Sequence, residues 1–333
     1  MMANYYIRNM ETGKIELHFD KDDYLALPDA MKAKIKSNFL FSRATGAWVS
    51  RCKFPNLYRP ECVAKELGLE DAGKEGEALT FDKQIERKME KAERRAERME
   101  FKAEEAHKKG IDLQKPINDM HGDIAFFTQP NISTTSGRAF TNRRNRMWDA
   151  WEHGFDEFKK SEYYSECAEK ARRIADGNKQ KDKAFCQRRI DEANASIRAL
   201  NRNIEKYEGY KKHIENGEIP KDEYGYELKH LTIERIDAEV DRWYEIMQNE
   251  IGKSVYYHEC IDNLGGIAFN KDNLKKGDLI QINRYGHCVV RVIRFGAKNL
   301  TFEFTDSHMT YANGRPIQGK CAYAEVEKVV KSA

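Results

Sequence analysis

No stretch of this 333-residue chain approaches the roughly 20 uninterrupted apolar residues that a membrane-spanning helix needs. Its opening, MMANYYIRNMETGK, has neither the basic start nor the apolar run of a signal peptide. The seven cysteines, Cys52, Cys62, Cys167, Cys186, Cys260, Cys288 and Cys321, are odd in number, widely spread and without a Cys-x-x-Cys pair, which points to reduced thiols rather than a disulfide framework. The expectation is a soluble, cytoplasmic protein with no membrane contact. Also missing are a Gly-x-x-x-x-Gly-Lys-Ser/Thr phosphate loop, a Gly-x-Gly-x-x-Gly turn after a strand and a Gly-x-Ser-x-Gly elbow. Nothing therefore supports an enzyme, and no cofactor is expected. Charge is abundant instead: 34% of residues are Asp, Glu, Lys or Arg against 40% hydrophobic, and the mean hydropathy is −0.82. That balance argues against one large core and for small modules joined by solvated helices.

The net charge of +3 conceals a segregation. Residues 138–212 carry 19 Lys/Arg against 13 Asp/Glu, a net of +6; residues 213–270 carry 5 against 13, or −8; residues 271–333 carry 11 against 6, or +5. Separated charge of this kind suits a basic surface for an anionic partner, the alternative being solvated helix faces of uneven composition.

Three regions are expected. In residues 1–76, Tyr5, Ile7, Ile15, Leu17 and Phe19 flank a turn at Gly13, a helix runs from Asp20 to Lys36, a second hairpin holds Phe39, Phe41, Gly46 and Trp48, and a short helix spans Glu61–Leu67. The result is a small ββαββα unit. Residues 77–255 predict an elongated antiparallel helical, coiled-coil body. Phe81, Ile85, Ala92, Ala96, Met99, Ala103 and Ala106 form an Ala-rich seam ending at Gly110, and residues 111–137 form a loop. A helix over 138–175 then carries Trp148, Trp151, Phe155 and Phe158 on one stripe. Helices over 181–215 and 227–251, joined through Asn216-Gly217 and Pro220, should pair as a hairpin. Residues 256–333 hold short apolar strands spaced by glycines, which suggests a small SH3-like β-barrel. The fold class is thus α+β.

Two stretches carry a resemblance. Phe39-x-Phe41-Ser42-Arg43-x-x-Gly46-x-Trp48 with Ser50-Arg51, then a charged helix over 83–109, Gln129-Pro130, the arginines 138–146 and Glu162-Tyr163-Tyr164, resemble proteins carrying the domain of unknown function 3560. The resemblance covers roughly residues 1–175. Where relatives often have a Gly-His-His-Ser loop this chain has Asn131 to Gly137, so no histidine role carries over. The family resembles cargo of plasmids, phages and integrative elements, sometimes within polyvalent proteins that counter host defences. The resemblance implies a setting: an antagonist of a host nuclease or sensor, whose partner is a host defence protein or its nucleic-acid complex.

The candidate contact residues fall into three groups. Arg138, Arg143, Arg144 and Arg146 surround a helix start preceded by Ser133, Thr134, Thr135 and Ser136, where N–H groups, hydroxyls and guanidinium forks suit phosphate or carboxylate; the alternative is pairing with Asp149 and Glu152. Trp48 with Arg43, Arg51 and Lys53 offers a stacking platform for DNA or RNA, with a core role for Trp48 the favoured alternative. Lys275, Lys276, Arg284, Arg291 and Arg294 line the terminal strands. A weaker reading has His121 and Asp123 with Asp119 nearby, or His258, Glu259 and Cys260 with His287, Cys288 and Cys321, gathering a metal for hydrolysis; neither set has a metal-site spacing. The heptad helices are expected to pack within one chain, the alternative being an Ala-rich seam left open to a second copy or a host protein.

Overall fold

The computed structural model describes residues 4–120, 123–128, 133–306 and 308–333. Among them are eight α-helices and two five-stranded sheets. Contacts divide the chain into two units, Met1–Gln84 with Ile190–Tyr256, and Ile85–Arg189 with Tyr257–Ala333.

In the first unit, β1 (Tyr5–Asn9) and β2 (Lys14–His18) form the expected hairpin, turned by Gly13 at φ +66°. The single helix expected over 20–36 is two, α1 (Lys21–Ala26) and α2 (Asp29–Asn38). Pro28 disfavours helical backbone at the residue before it, and Leu27 is accordingly extended at ψ 144°. The second hairpin, β3 (Phe39–Ser42) and β4 (Ala47–Ser50), and α3 (Tyr58–Glu66) follow. A further strand, β5 (Glu70–Glu75), pairs parallel to β1 and gives the order β3-β4-β2-β1-β5, so the unit is ββααββαβ rather than ββαββα. All six β5 residues are exposed; backbone pairing holds the strand, and no apolar alternation announced it. Tyr6, Ile15, Leu17, Ile35, Phe39, Leu57, Val63 and Leu69 make the core.

The same unit contains most of α7 (Lys183–Glu215) and the start of α8 (Ile233–Asn263). Tyr207 meets Trp243 at 4.7 Å, Lys211 donates to Asp237 at 2.6 Å and Ser254 to Asn194 at 3.3 Å, an antiparallel pairing as expected. Glu245 of α8 accepts from Arg8 of β1 at 2.8 Å and also from Lys74 of β5.

In the second unit, α4 (Phe81–Asn118) runs eight residues past Gly110, into the stretch expected as loop. α5 (Ile124–Thr128) and the start of α6 (Thr135–Ala175) occupy much of the rest of that stretch. Gly110 does not stop α4 but admits a neighbour: a Cβ there would lie 2.7 Å from the Phe158 ring, and one at Gly154 would lie 3.1 Å from the Gly110 carbonyl oxygen. α4 and α6 are antiparallel along their length. Trp151 donates to Asn118, Lys109 to Glu157 at 3.0 Å, Ser161 to the Ala103 carbonyl at 2.8 Å, and Arg172 to Glu93 and Glu100. Ala92, Ala96, Ala103 and Ala106 are buried, so the seam packs within the chain, as expected, rather than standing open to a second copy. On α6 the buried positions include Gly154, Glu157, Ser161, Ala168 and Ala171, whereas Phe155 of the aromatic stripe is 44% exposed.

The terminal strands β6 (Leu279–Ile282), β7 (Val289–Phe295), β8 (Asn299–Phe304), β9 (Gln318–Ala322) and β10 (Val326–Lys331) form an antiparallel sheet ordered β10-β6-β7-β8-β9. A one-turn 3-10 helix at Tyr323–Glu325 leads from β9 to β10, which pairs with β6. Among the described residues the outer strands β9 and β10 do not hydrogen-bond to each other, so what is seen is a five-stranded sheet with no closed barrel. Ile280, Ile282, Val290, Val292, Leu300 and Phe302 alternate inward to form its core.

Candidate functional site

The start of α6 is built by local chemistry. Thr134 caps it, its side chain accepting from the Gly137 N–H at 3.1 Å. Arg138, Arg143 and Arg146 are exposed over the next three turns. Neither Arg138 nor Arg143 makes an ion pair among the described residues, and Arg146 donates through Nε only to the Asn142 carbonyl, at 3.3 Å. The expected pairing with Asp149 and Glu152 is absent among the described ion pairs. Arg144 does something else: half-buried, it donates through Nη1 to the carbonyls of Phe126 and Phe127 at 3.4 and 3.3 Å, gripping the end of α5. Rings hold the two helices together, Phe126 against Phe140 at 5.9 Å and Phe127 against Trp148 at 5.9 Å. Three guanidinium groups thus stand in solvent at the start of α6, and a fourth is spent on holding α5 to it.

The second group does not assemble into a platform. Arg43 and Lys53 are exposed, but the Trp48 ring is half-buried between Tyr24 at 5.2 Å and the edge-on Phe41 at 5.5 Å, as the core alternative anticipated. Arg51 donates to the Lys36 carbonyl at 3.1 Å. In the third group Arg284 is bound to the buried Glu325 at 2.6 Å and Arg291 to Glu303 at 3.2 Å, while Lys275, Lys276 and Arg294 remain exposed.

The metal reading finds no geometry. Among the described residues no three His, Cys, Asp or Glu side chains are placed to share an ion. His121 lies outside the described residues, and Asp123 accepts from the Phe126 N–H at 3.1 Å, capping α5. His287 is held by Glu327 at 2.7 Å. Burial pushes the Cys186 and Cys321 thiols up to about 12, so both are neutral at ordinary pH. Among the described residues no helix is long and apolar enough to cross a membrane.

No family model, no curated protein and no solved structure matches the chain.

Sequence reasoning missed a corner in the terminal sheet. Tyr285 and Phe304 stand 5.4 Å apart at 72° over a cavity of about 320 Å³ that Asp306 also lines. Its residues come from the turn before β7, the start of β7, the end of β8 and the segment after it, and the local signal is a single exposed Tyr-Gly-His turn.

Proposed function

We propose that this chain is a non-enzymatic binding protein that engages an anionic partner through the arginine-rich start of α6. The observation that carries the reading is that Arg138 and Arg143 stand exposed and make no ion pair among the described residues. Guanidinium forks left free in this way suit phosphate oxygens. The likeness to the domain of unknown function 3560 family supplies the setting: a mobile-element or phage protein, working in the cytoplasm, that antagonises a host nuclease or sensor, itself often loaded with nucleic acid. An accessory role in element transfer or maintenance is the second reading, with the same arginines contacting free DNA or RNA.

The finer architecture belongs to this reading. We take the terminal sheet as the SH3-like type, a view supported by its strand order and by the one-turn helix before β10. The two helix pairs we take as short antiparallel coiled coils.

The test is fluorescence anisotropy with labelled DNA and RNA across a salt series, for the native chain and for Arg138→Ala/Arg143→Ala/Arg146→Ala. Binding should fall steeply with salt, and the triple variant should lower the slope of log K against log[salt] by about 3 on duplex DNA. An unchanged slope and affinity would remove α6 from the interface. If neither nucleic acid binds, the partner is a protein, and retention of a host nuclease or sensor should then depend on the same three residues.

A further inference from the structure

We propose that the corner formed by Tyr285, Phe304 and Asp306 receives the charged end of a lysine or arginine side chain presented by a binding partner. The inference is independent of the α6 reading and rests on different residues. The two rings meet at 72° with centroids 5.4 Å apart, so they wall a cavity of about 320 Å³ on two sides. Met309, Val289 and Cys288 add to the apolar lining, and burial raises the Cys288 thiol, keeping it neutral. Asp306 is the one carboxylate among the lining residues. Its Oδ1 accepts from the His308 N–H at 2.9 Å, and it makes no ion pair among the described residues.

Aromatic faces attract cations through the ring quadrupole, and an unpaired carboxylate at the same cavity adds charge. A neutral apolar group would gain only from the rings and would be placed beside an acid. Two basic groups of the turn that carries Tyr285 are already occupied: Arg284 lies on Glu325 at 2.6 Å and His287 on Glu327 at 2.7 Å. Those same pairs pin the turn that carries Tyr285. Tyr285, Gly286 and His287 hold φ values of 53°, 73° and 61°, a left-handed conformation that side-chain-bearing residues adopt only when their surroundings impose it. The turn keeps Tyr285 63% exposed while its ring rests on Phe304. A ring held ready over a cavity loses little freedom when a cation enters.

NMR titration of the full chain with Nα-acetyl-lysine methylamide, Nα-acetyl-arginine methylamide and the uncharged Nα-acetyl-norleucine methylamide tests the proposal. At least one basic probe should give saturable shifts of the Tyr285 and Phe304 ring signals, with a Kd on the order of millimolar for a single side chain. The norleucine probe should bind at least about tenfold more weakly, the loss of roughly 1.4 kcal/mol of charge-dependent affinity. Asp306→Asn should weaken the basic probe several-fold, and Tyr285→Asn, chosen because asparagine tolerates the left-handed backbone, should abolish saturation while the other resonances stay in place. Equal binding of norleucine, or unchanged binding in both variants, or no saturable shift with either basic probe, overturns the proposal.

Discussion

The two helix pairs solve the same packing problem with opposite materials. On α4 and α6 most buried residues are small, namely Ala92, Ala96, Ala103, Ala106, Gly110, Gly154, Ser161, Ala168 and Ala171, with Ile117 and the ion-paired Glu157 as the exceptions; the small side chains bring the backbones close and leave polar pairs to fix the register. α7 and α8 bury Ala184, Cys186, Ile190, Ala193, Ile204, Tyr210, Ile236, Ser254, Tyr257 and Ile261, a set in which isoleucine and tyrosine make up six of the ten. Shape complementarity between small residues carries the first pair, and removal of large side chains from water carries the second. The pairs should therefore fail in opposite ways.

The largest effect is expected in the seam of large residues. Ile190 is 1% exposed, and Ile190→Ala should cost about 2–5 kcal/mol, read as a fall in the denaturant midpoint. A loss well below 1 kcal/mol would mean that α7 and α8 do not depend on side-chain volume. The reverse substitution should break the other pair. A Cβ on Gly154 already falls 2.6 Å from Gln114 Cγ and 3.1 Å from a backbone oxygen, so Gly154→Leu should cost about 1–3 kcal/mol by overpacking. If that variant keeps native stability, close approach is not what holds α4 to α6.

The smallest effect is a pH dependence confined to the first pair. Hydrogen bonds from Lys160 and Lys109 to Glu157 outweigh its desolvation and hold its carboxyl below the usual glutamate range. A depressed carboxyl stabilises the fold above its unfolded value, and the contribution is lost as pH falls through the lower folded value. Thermal melts from neutral pH into the acid range should show a shallower acid decline for Glu157→Gln than for the native chain. Coincident acid limbs would assign the decline to other carboxylates.

How far the chain was legible follows from the same physics. The β1–β2 and β3–β4 hairpins announced themselves through alternation and a turn glycine, and the α7–α8 hairpin through its heptads and the break at Asn216-Gly217. Gly110 misled, because a glycine that ends a helix and a glycine that admits a phenylalanine ring look alike until Phe158 is in place. β5 stayed hidden because its pairing is made by backbone groups and its side chains face solvent. At the candidate site the arginines were visible as a run, but their division of labour was not. Arg144 is taken by the carbonyls of α5, a helix read as loop.

Composition, periodicity and charge by themselves determined the α+β class, the hairpins, the existence of long charged helices and the concentration of arginine at residues 138–146, since each depends on neighbours within a few positions. The tertiary structure alone decided which glycines permit contact, which seam lies within the chain, whether the last sheet closes, and which arginines stay in solvent. Those outcomes depend on groups far apart in sequence meeting at hydrogen-bond or van der Waals distance, as when Gly110 and Phe158 or Tyr285 and Phe304 come together.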